Sequence, residues 1–171
     1  MFYNPIRKMV YKFISYLKFL IKSTNQHGVH SPFVYNFVTK GLYTKSSKSP
    51  LIKKYTRLKT LSNKELKLLS KIIAYFNVDE IFFQNNLSNL QLNKLYEQEL
   101  VFLNDSKQLQ LVSLSTHFFI VVQSIYKDKE SYTTWLNYLE KTENIVTIDT
   151  FTYGIIFFRP EQAKEHFIIR V

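Results

Sequence analysis

The spacing of apolar side chains changes at Val78. Before this position, apolar residues recur every three or four residues, a period typical of amphipathic helices. After it, short runs rich in Phe, Ile and Val alternate with helical patterns. The sequence therefore predicts a helical N-terminal part followed by an open α/β sheet.

The first predicted helix covers residues 1–22 and carries one apolar stripe, with most of its lysines on its other sides. The stripe consists of Ile6, Val10, Phe13, Leu17 and Leu20. Arg and Lys residues interrupt the stretch too often for a membrane span, and no cleavage site of a signal peptide follows it. We expect the stripe to pack against the protein itself or against a partner, and an anionic membrane surface is the alternative.

The segment Asn25–Val38 combines a turn, a helix start and two of the four histidines. Ser31 and Pro32 are typical of an N-cap and of a first helical position, and Gly41 is predicted to be the C-cap of this second helix. The side chains that it is expected to bury are Phe33, Val34, Phe37 and Val38. Residues 44–60 are expected to form a loop or a frayed helix.

Ser62 and Glu65 have the spacing of a capping box, which predicts a third helix that ends near Asn77. Its predicted apolar face is Leu66, Leu69, Ile72, Ile73 and Phe76.

Strands and helices are predicted to alternate over the rest of the chain. The predicted strands are residues 80–84, 100–103, 118–122, 144–148 and 154–159, followed by a strand-like tail at 166–171. The predicted helices are residues 90–98, 107–115 and 129–141, the last with Tyr132, Trp135, Leu136 and Leu139 turned inward. Only a short connection separates the strands at 144–148 and 154–159, which predicts an antiparallel hairpin.

A length of 171 residues and a hydrophobic content of 46% suit one core with an appended helical region. We place the boundary after residue 60, which gives a basic helical extension, 1–60, and an α/β domain, 61–171. The chain has no cysteine, which excludes disulfides, thiolate metal sites and a cysteine nucleophile. Such a composition is expected of a cytoplasmic protein.

Positive charge is concentrated in the N-terminal third. Residues 1–59 contain twelve Lys and Arg and no Asp or Glu, although the net charge of the whole chain is only +10. This asymmetry favours an anionic partner, which is nucleic acid, phospholipid head groups or an acidic protein surface. The alternative is a basic surface that only contacts solvent.

Two long segments, His27–Val38 and Thr147–Arg170, resemble the ends of a group of class I S-adenosylmethionine-dependent methyltransferase-like proteins common in Bacteroidetes. The resemblance implies a Rossmann-like sheet. The middle of this chain is shorter than such a sheet requires, which indicates that one or two central strands have been lost. The resemblance therefore predicts a shortened sheet with a C-terminal antiparallel hairpin and an N-terminal helical extension.

The resembling proteins hold S-adenosylmethionine on a glycine-rich turn after the first strand, because glycine lets the backbone approach the cofactor closely. In this chain the turn falls on residues 83–89, with Asn85 and Asn89 at the glycine positions. Asparagine tolerates a left-handed backbone, but its side chain fills space that the cofactor would use. Asp105 is the candidate for the acid that binds the ribose, and the alternative is that it caps the next helix.

Gln123 and Ser124 stand where the resembling proteins have an acidic pair that serves substrate or metal. Neither side chain ionises, which predicts the loss of general-base chemistry and of divalent metal binding at this place. His27 and His30 have a spacing that suits two metal ligands, but zinc normally needs three or four. We therefore expect no metal site.

Together these patterns predict a degenerate, non-catalytic methyltransferase-like protein that acts as a binding or scaffolding module for a protein partner. One alternative is an active methyltransferase that binds S-adenosylmethionine through Asn85, Asn89 and Asp105. Another is a binder of nucleic acid or of an anionic membrane surface through residues 1–59. Homodimerisation is a further hypothesis, because the loss of a strand exposes a sheet edge or an apolar face.

Overall fold

The structure is a computed structural model that describes residues 5–45, 49–84, 99–114 and 118–171. Its α-helices are α1 (Pro5–Lys22), α2 (Pro32–Phe37), α3 (Pro50–Lys54), α4 (Asn63–Tyr75) and α5 (Lys129–Lys141). Its strands are β1 (Glu80–Phe83), β2 (Glu99–Leu103), β3 (Phe118–Gln123), β4 (Ile145–Asp149), β5 (Tyr153–Phe158) and β6 (Glu165–Ile168). A π-helical turn, Val38–Leu42, continues α2, and 3₁₀ segments cover Gln26–Gly28, Thr56–Thr60 and Ser106–Leu111.

The strands of the described residues form one mixed sheet in the order β1-β2-β3-β5-β4-β6. β1, β2 and β3 pair in parallel, and β5 lies antiparallel between β3 and β4. β6 then pairs in parallel with β4 at the far edge. The predicted α/β class and the predicted hairpin of the fourth and fifth strands are both confirmed.

Both faces of the sheet are apolar, because nearly every position of the central strands is buried. Alternate residues of β1 point to opposite sides: Ile81 and Phe83 join one cluster, and Phe82 joins the other. The first cluster is covered by α2, the π-helical turn and α4. The second is covered by α5, the 3₁₀ segment Ser106–Leu111 and the C-terminal part of α1.

The second predicted helix begins where the sequence indicates but ends differently. α2 starts at Pro32, and Val34, Phe37 and Val38 are buried as predicted. The prediction that Gly41 is a C-cap is wrong, because Gly41 lies inside the π-helical turn and does not have a positive φ. A Cβ at this position would lie 2.9 Å from the Phe37 ring and 3.0 Å from the Tyr75 ring. Close packing of these rings, rather than a left-handed backbone, therefore accounts for the glycine.

The capping box at the start of α4 is present. The Ser62 hydroxyl accepts a hydrogen bond from the Glu65 backbone N–H at 3.3 Å, and Glu65 Oε2 accepts one from the Ser62 backbone N–H at 2.7 Å. Leu69, Ile72 and Ile73 are buried, as predicted for this face. The helix ends at Tyr75, close to the predicted end.

Most of the apolar stripe of α1 does not pack against the protein. The prediction that the protein itself covers this stripe is therefore wrong. Ile6, Val10, Phe13 and Leu17 are between 44% and 65% exposed, and only Leu20 is half-buried. α1 instead contacts the rest of the chain through a narrow side that does not belong to the stripe. The side chains buried there are Ser15 and Phe19.

Aromatic packing and one ion pair hold that narrow side in place. The Phe19 ring centroid lies 5.4 Å from that of Phe151 and 6.4 Å from that of Tyr126. Near the other end of α1, Lys8 Nζ lies 3.6 Å from Asp128 Oδ2. No helix of the described residues is both long enough and apolar enough for a membrane crossing.

One position of α5 also differs from its prediction. Trp135 and Leu139 are buried as expected, but Leu136 is 41% exposed. Trp135 fills the space beside β5, where its ring lies against Gly154.

Replacing Gly154 with alanine is expected to destabilise the fold. The added Cβ would lie 2.7 Å from the Trp135 ring in a fully buried site, and such overpacking costs about 1–3 kcal/mol of unfolding free energy. Urea denaturation measures this loss. In a Trp135→Phe background, where the ring is smaller, Gly154→Ala should lower the unfolding free energy clearly less. An equal loss in both backgrounds would show that the contact with the Trp135 ring is not its cause.

Candidate functional site

Polar side chains collect at one edge of the sheet, where the parallel strands β1, β2, β3 and β4 end. We call this edge, with Gln84, Asn104, Asp105, Gln123, Ser124 and Asp149, the carboxyl edge. Open α/β sheets bind their ligands outside the carboxyl ends of their strands. The carboxyl edge is therefore the candidate functional site.

Gln108 connects the ends of β1 and β2. Its Nε2 donates to Gln84 Oε1 at 2.5 Å, and its Oε1 accepts from the Asn104 backbone N–H at 2.9 Å. The side chain reaches this place from the 3₁₀ segment that follows β2. The predicted glycine-equivalent positions Asn85 and Asn89, and the predicted helix at 90–98, lie outside the described residues.

Asp105 follows β2, as the sequence indicates, and both of its carboxylate oxygens have partners. Oδ1 accepts from the Lys107 backbone N–H at 3.1 Å, which makes Asp105 the N-cap of the 3₁₀ segment. Oδ2 lies 3.6 Å from Lys127 Nζ. The capping role that the sequence offered as the alternative is therefore present.

A carboxylate from α4 reaches the end of β3, which sequence reasoning did not foresee. Gln123 Nε2 donates to Glu65 Oε1 at 2.7 Å, while Glu65 Oε2 accepts from both the N–H and the hydroxyl of Ser62. Burial raises the pKa of the Glu65 carboxyl, but the hydrogen bonds from Ser62 and Gln123 outweigh this effect and the pKa lies below its ordinary value. Gln123 and Ser124 cannot ionise, but an ionised acid stands beside them.

Asp149 and Tyr126 form a buried pair behind the carboxyl edge. Tyr126 donates its hydroxyl hydrogen to Asp149 Oδ2 at 2.5 Å, and the Phe151 backbone N–H donates to Oδ1 at 2.8 Å. The Tyr126 ring stacks between Tyr132 and Phe151, with a centroid distance of 4.6 Å to each. Asp149 belongs to the C-terminal segment that carries the family resemblance, but its spacing in the sequence gave no sign of this partner.

Burial dominates the electrostatics of this pair. It raises the pKa of Asp149 to about 6, although the hydrogen bonds from Tyr126 and Phe151 act in the opposite direction. Burial, followed by the nearby Asp149 charge, also raises the pKa of Tyr126. Tyr126 therefore keeps its hydroxyl proton at neutral pH, whereas the Asp149 carboxyl gains or loses a proton near pH 6.

A cleft of about 660 Å³ opens beside the carboxyl edge, between α1, the start of α4 and the segment after β3. Among the described residues that line it are four lysines, Lys8, Lys12, Lys64 and Lys127, and one carboxylate, that of Glu65. Two of these lysines also form ion pairs, Lys8 with Asp128 and Lys127 with Asp105. The cleft is therefore positive and suits a small anion better than a cation.

The histidines are not brought together by the described residues. His27, in the 3₁₀ segment Gln26–Gly28, and His30, just before α2, are exposed. His166 Nδ1, in β6, lies 2.8 Å from the Thr147 hydroxyl. His117 lies outside the described residues. Within those residues, no group of three or more His, Asp or Glu side chains could hold a metal ion.

A second cleft, of about 600 Å³, lies at the other ends of the strands, where β3 begins and β5 ends. Most of the residues that line it are aromatic. Its rings include Phe33, Phe76, Phe119 and Phe157. Arg159 lies over the Phe33 ring at 4.4 Å and pairs with Glu161. These contacts are typical of the rim of an apolar core.

No protein-family model, no curated protein and no solved structure matches this chain. The resemblance to methyltransferase-like proteins therefore stays a prediction.

The buried Asp149 predicts a specific pH dependence of stability. Its folded-state pKa of about 6 lies above the ordinary value of 3.8, so between these values the folded state holds a proton that the unfolded chain has lost. The contribution of Asp149 to the unfolding free energy should therefore fall by on the order of 3 kcal/mol as the pH rises from about 4 to about 6. Above pH 6 this contribution should no longer change with pH.

Urea denaturation as a function of pH measures this effect. Asp149→Asn should flatten the stability curve in this window. Tyr126→Phe removes a hydrogen bond that lowers the Asp149 pKa and should extend the decline to higher pH. A curve of the same slope in wild type and Asp149→Asn would show that Asp149 does not titrate there.

Proposed function

We propose that the chain is a non-catalytic binding module built on a shortened, methyltransferase-like α/β sheet. The parallel half-sheet of β1, β2 and β3, followed by an antiparallel hairpin, supports the shortened Rossmann-like architecture that the resemblance implies. The covering helices on both faces are consistent with it.

The observation that carries the proposal is the bridge made by Gln108. A cofactor of this fold would lie across the ends of β1 and β2, and a single glutamine side chain already spans these two strand ends. Phe82 and Phe83, just before Gln84, are buried in the two apolar clusters and offer the cofactor no polar contact. A ligand bound between these strand ends would compete with both hydrogen bonds of Gln108.

Two carboxylates at or beside the carboxyl edge, those of Asp105 and Glu65, are also engaged. Asp105 caps the 3₁₀ segment and pairs with Lys127, and Glu65 holds Ser62 and Gln123. A general base needs a lone pair that is free to reach a substrate proton. These hydrogen bonds and ion pairs instead stabilise the edge, which favours binding by other surfaces over catalysis at this one.

Calorimetric titration with S-adenosylmethionine and with S-adenosylhomocysteine tests the proposal. We expect no heat of binding from either compound, because Gln84, Gln108 and Asp105, among the described residues at this place, are already paired. Micromolar binding that is lost in Asp105→Asn would place the ribose on Asp105 and overturn the proposal. Circular dichroism of the variant provides the control for folding.

A further inference from the structure

The outer face of α1 is a continuous apolar surface exposed to solvent. Seven large side chains on it are between 44% and 84% exposed: Ile6, Met9, Val10, Phe13, Ile14, Leu17 and Ile21. At 3.6 residues per turn they fall within an arc of about 140° around the helix axis. Single exposed apolar residues are normal, but a contiguous group of this kind marks an interaction surface.

Positive charge borders this face and negative charge is absent from it. On the same projection Arg7 and Lys18 lie at one margin of the arc and Lys12 lies at the other. Arg7, Lys18 and Lys22 form no ion pair with any residue that the structure describes. Lys64 and Lys127, in the cleft beside Met9 and Lys12, extend the positive surface beyond α1.

We propose that the outer face of α1 docks onto an anionic lipid bilayer and lies in the plane of its surface. An interfacial helix places its apolar side chains at the boundary of head groups and acyl chains, while basic residues at its margins contact anionic head groups. α1 has 18 residues and is therefore about 27 Å long, and its narrow side is held to the protein by Phe19 and Ser15. Docking thus requires no rearrangement of the fold.

Charge and apolar surface together favour an anionic bilayer over two other partners, a second copy of the chain and nucleic acid. A symmetric dimer through this face would bring together two helices from an acid-free region, since residues 1–59 hold twelve Lys and Arg and no Asp or Glu. Nucleic acid would satisfy the lysines but would leave the apolar side chains in water, because its backbone recognition is electrostatic. An anionic bilayer matches both the charge and the apolar surface.

Co-sedimentation with lipid vesicles tests the proposal. We expect the chain to bind vesicles of phosphatidylcholine with phosphatidylserine, to bind pure phosphatidylcholine weakly, and to lose affinity as salt rises. Phe13→Glu and Leu17→Glu should each weaken binding about tenfold or more, because a charge replaces an inserted side chain. Arg7→Gln and Lys18→Gln should each weaken it about fivefold.

Leu136→Glu is the matched control, since Leu136 is an equally exposed leucine on α5, outside the docking face. It should bind as wild type does. Phe13 is 62% exposed, so Phe13→Glu should keep the fold, and thermal unfolding of each variant checks this.

Three results would overturn the proposal: no binding to the anionic vesicles, equal binding by wild type and Phe13→Glu, or a lipid-free dimer in light scattering that Phe13→Glu dissociates. The inference does not rest on the proposed non-catalytic role. Vesicle binding tests α1, whereas S-adenosylmethionine binding tests the carboxyl edge. The failure of the membrane proposal can therefore be distinguished from the failure of the proposed non-catalytic role.

Discussion

The sheet is apolar on both faces, and the rest of the structure follows from the need to cover them. Burial of apolar surface is the main stabilising term in a chain of this size. On one face the ring centroids of Phe37, Phe76 and Phe157 lie 4.8–6.0 Å apart and join α2, the C-cap residue of α4 and β5 into one cluster. On the other face Trp135 of α5 packs directly on Gly154. Among the described residues, these two layers do not cover the carboxyl edge or the outer side of α1.

The carboxyl edge is polar and largely satisfies its own hydrogen bonds. Gln108 joins two strand ends, Glu65 joins α4 to β3, and Tyr126 closes over Asp149. Buried or half-buried polar groups are costly when unpaired, so such mutual pairing stabilises the edge without a ligand. This mutual pairing of polar groups is the physical basis of the proposed non-catalytic role.

The sequence predicts the elements that depend on local signals. The capping box of α4 and the antiparallel hairpin are where their motifs indicate, because caps and short connections act over a few residues. Periodicity predicts the apolar side of α1 equally well, but it does not indicate whether the protein itself covers that side. The role of Gly41 was missed for a similar reason, since ring packing from α4 is a tertiary effect. Glu65 and Gln123 are 58 positions apart in the sequence, and no local sequence pattern predicts their hydrogen bond.

The two proposals assign different roles to two parts of the chain: α1 makes the external contact, and the carboxyl edge is internally paired. Hydrogen–deuterium exchange tests this division directly, with the same protein alone, with anionic vesicles and with S-adenosylmethionine. We predict that vesicles slow exchange across Pro5–Lys22 and that S-adenosylmethionine does not change exchange at Gln84 or at residues 104–108. Slowed exchange at the carboxyl edge with S-adenosylmethionine, and none in α1 with vesicles, would contradict this division of roles.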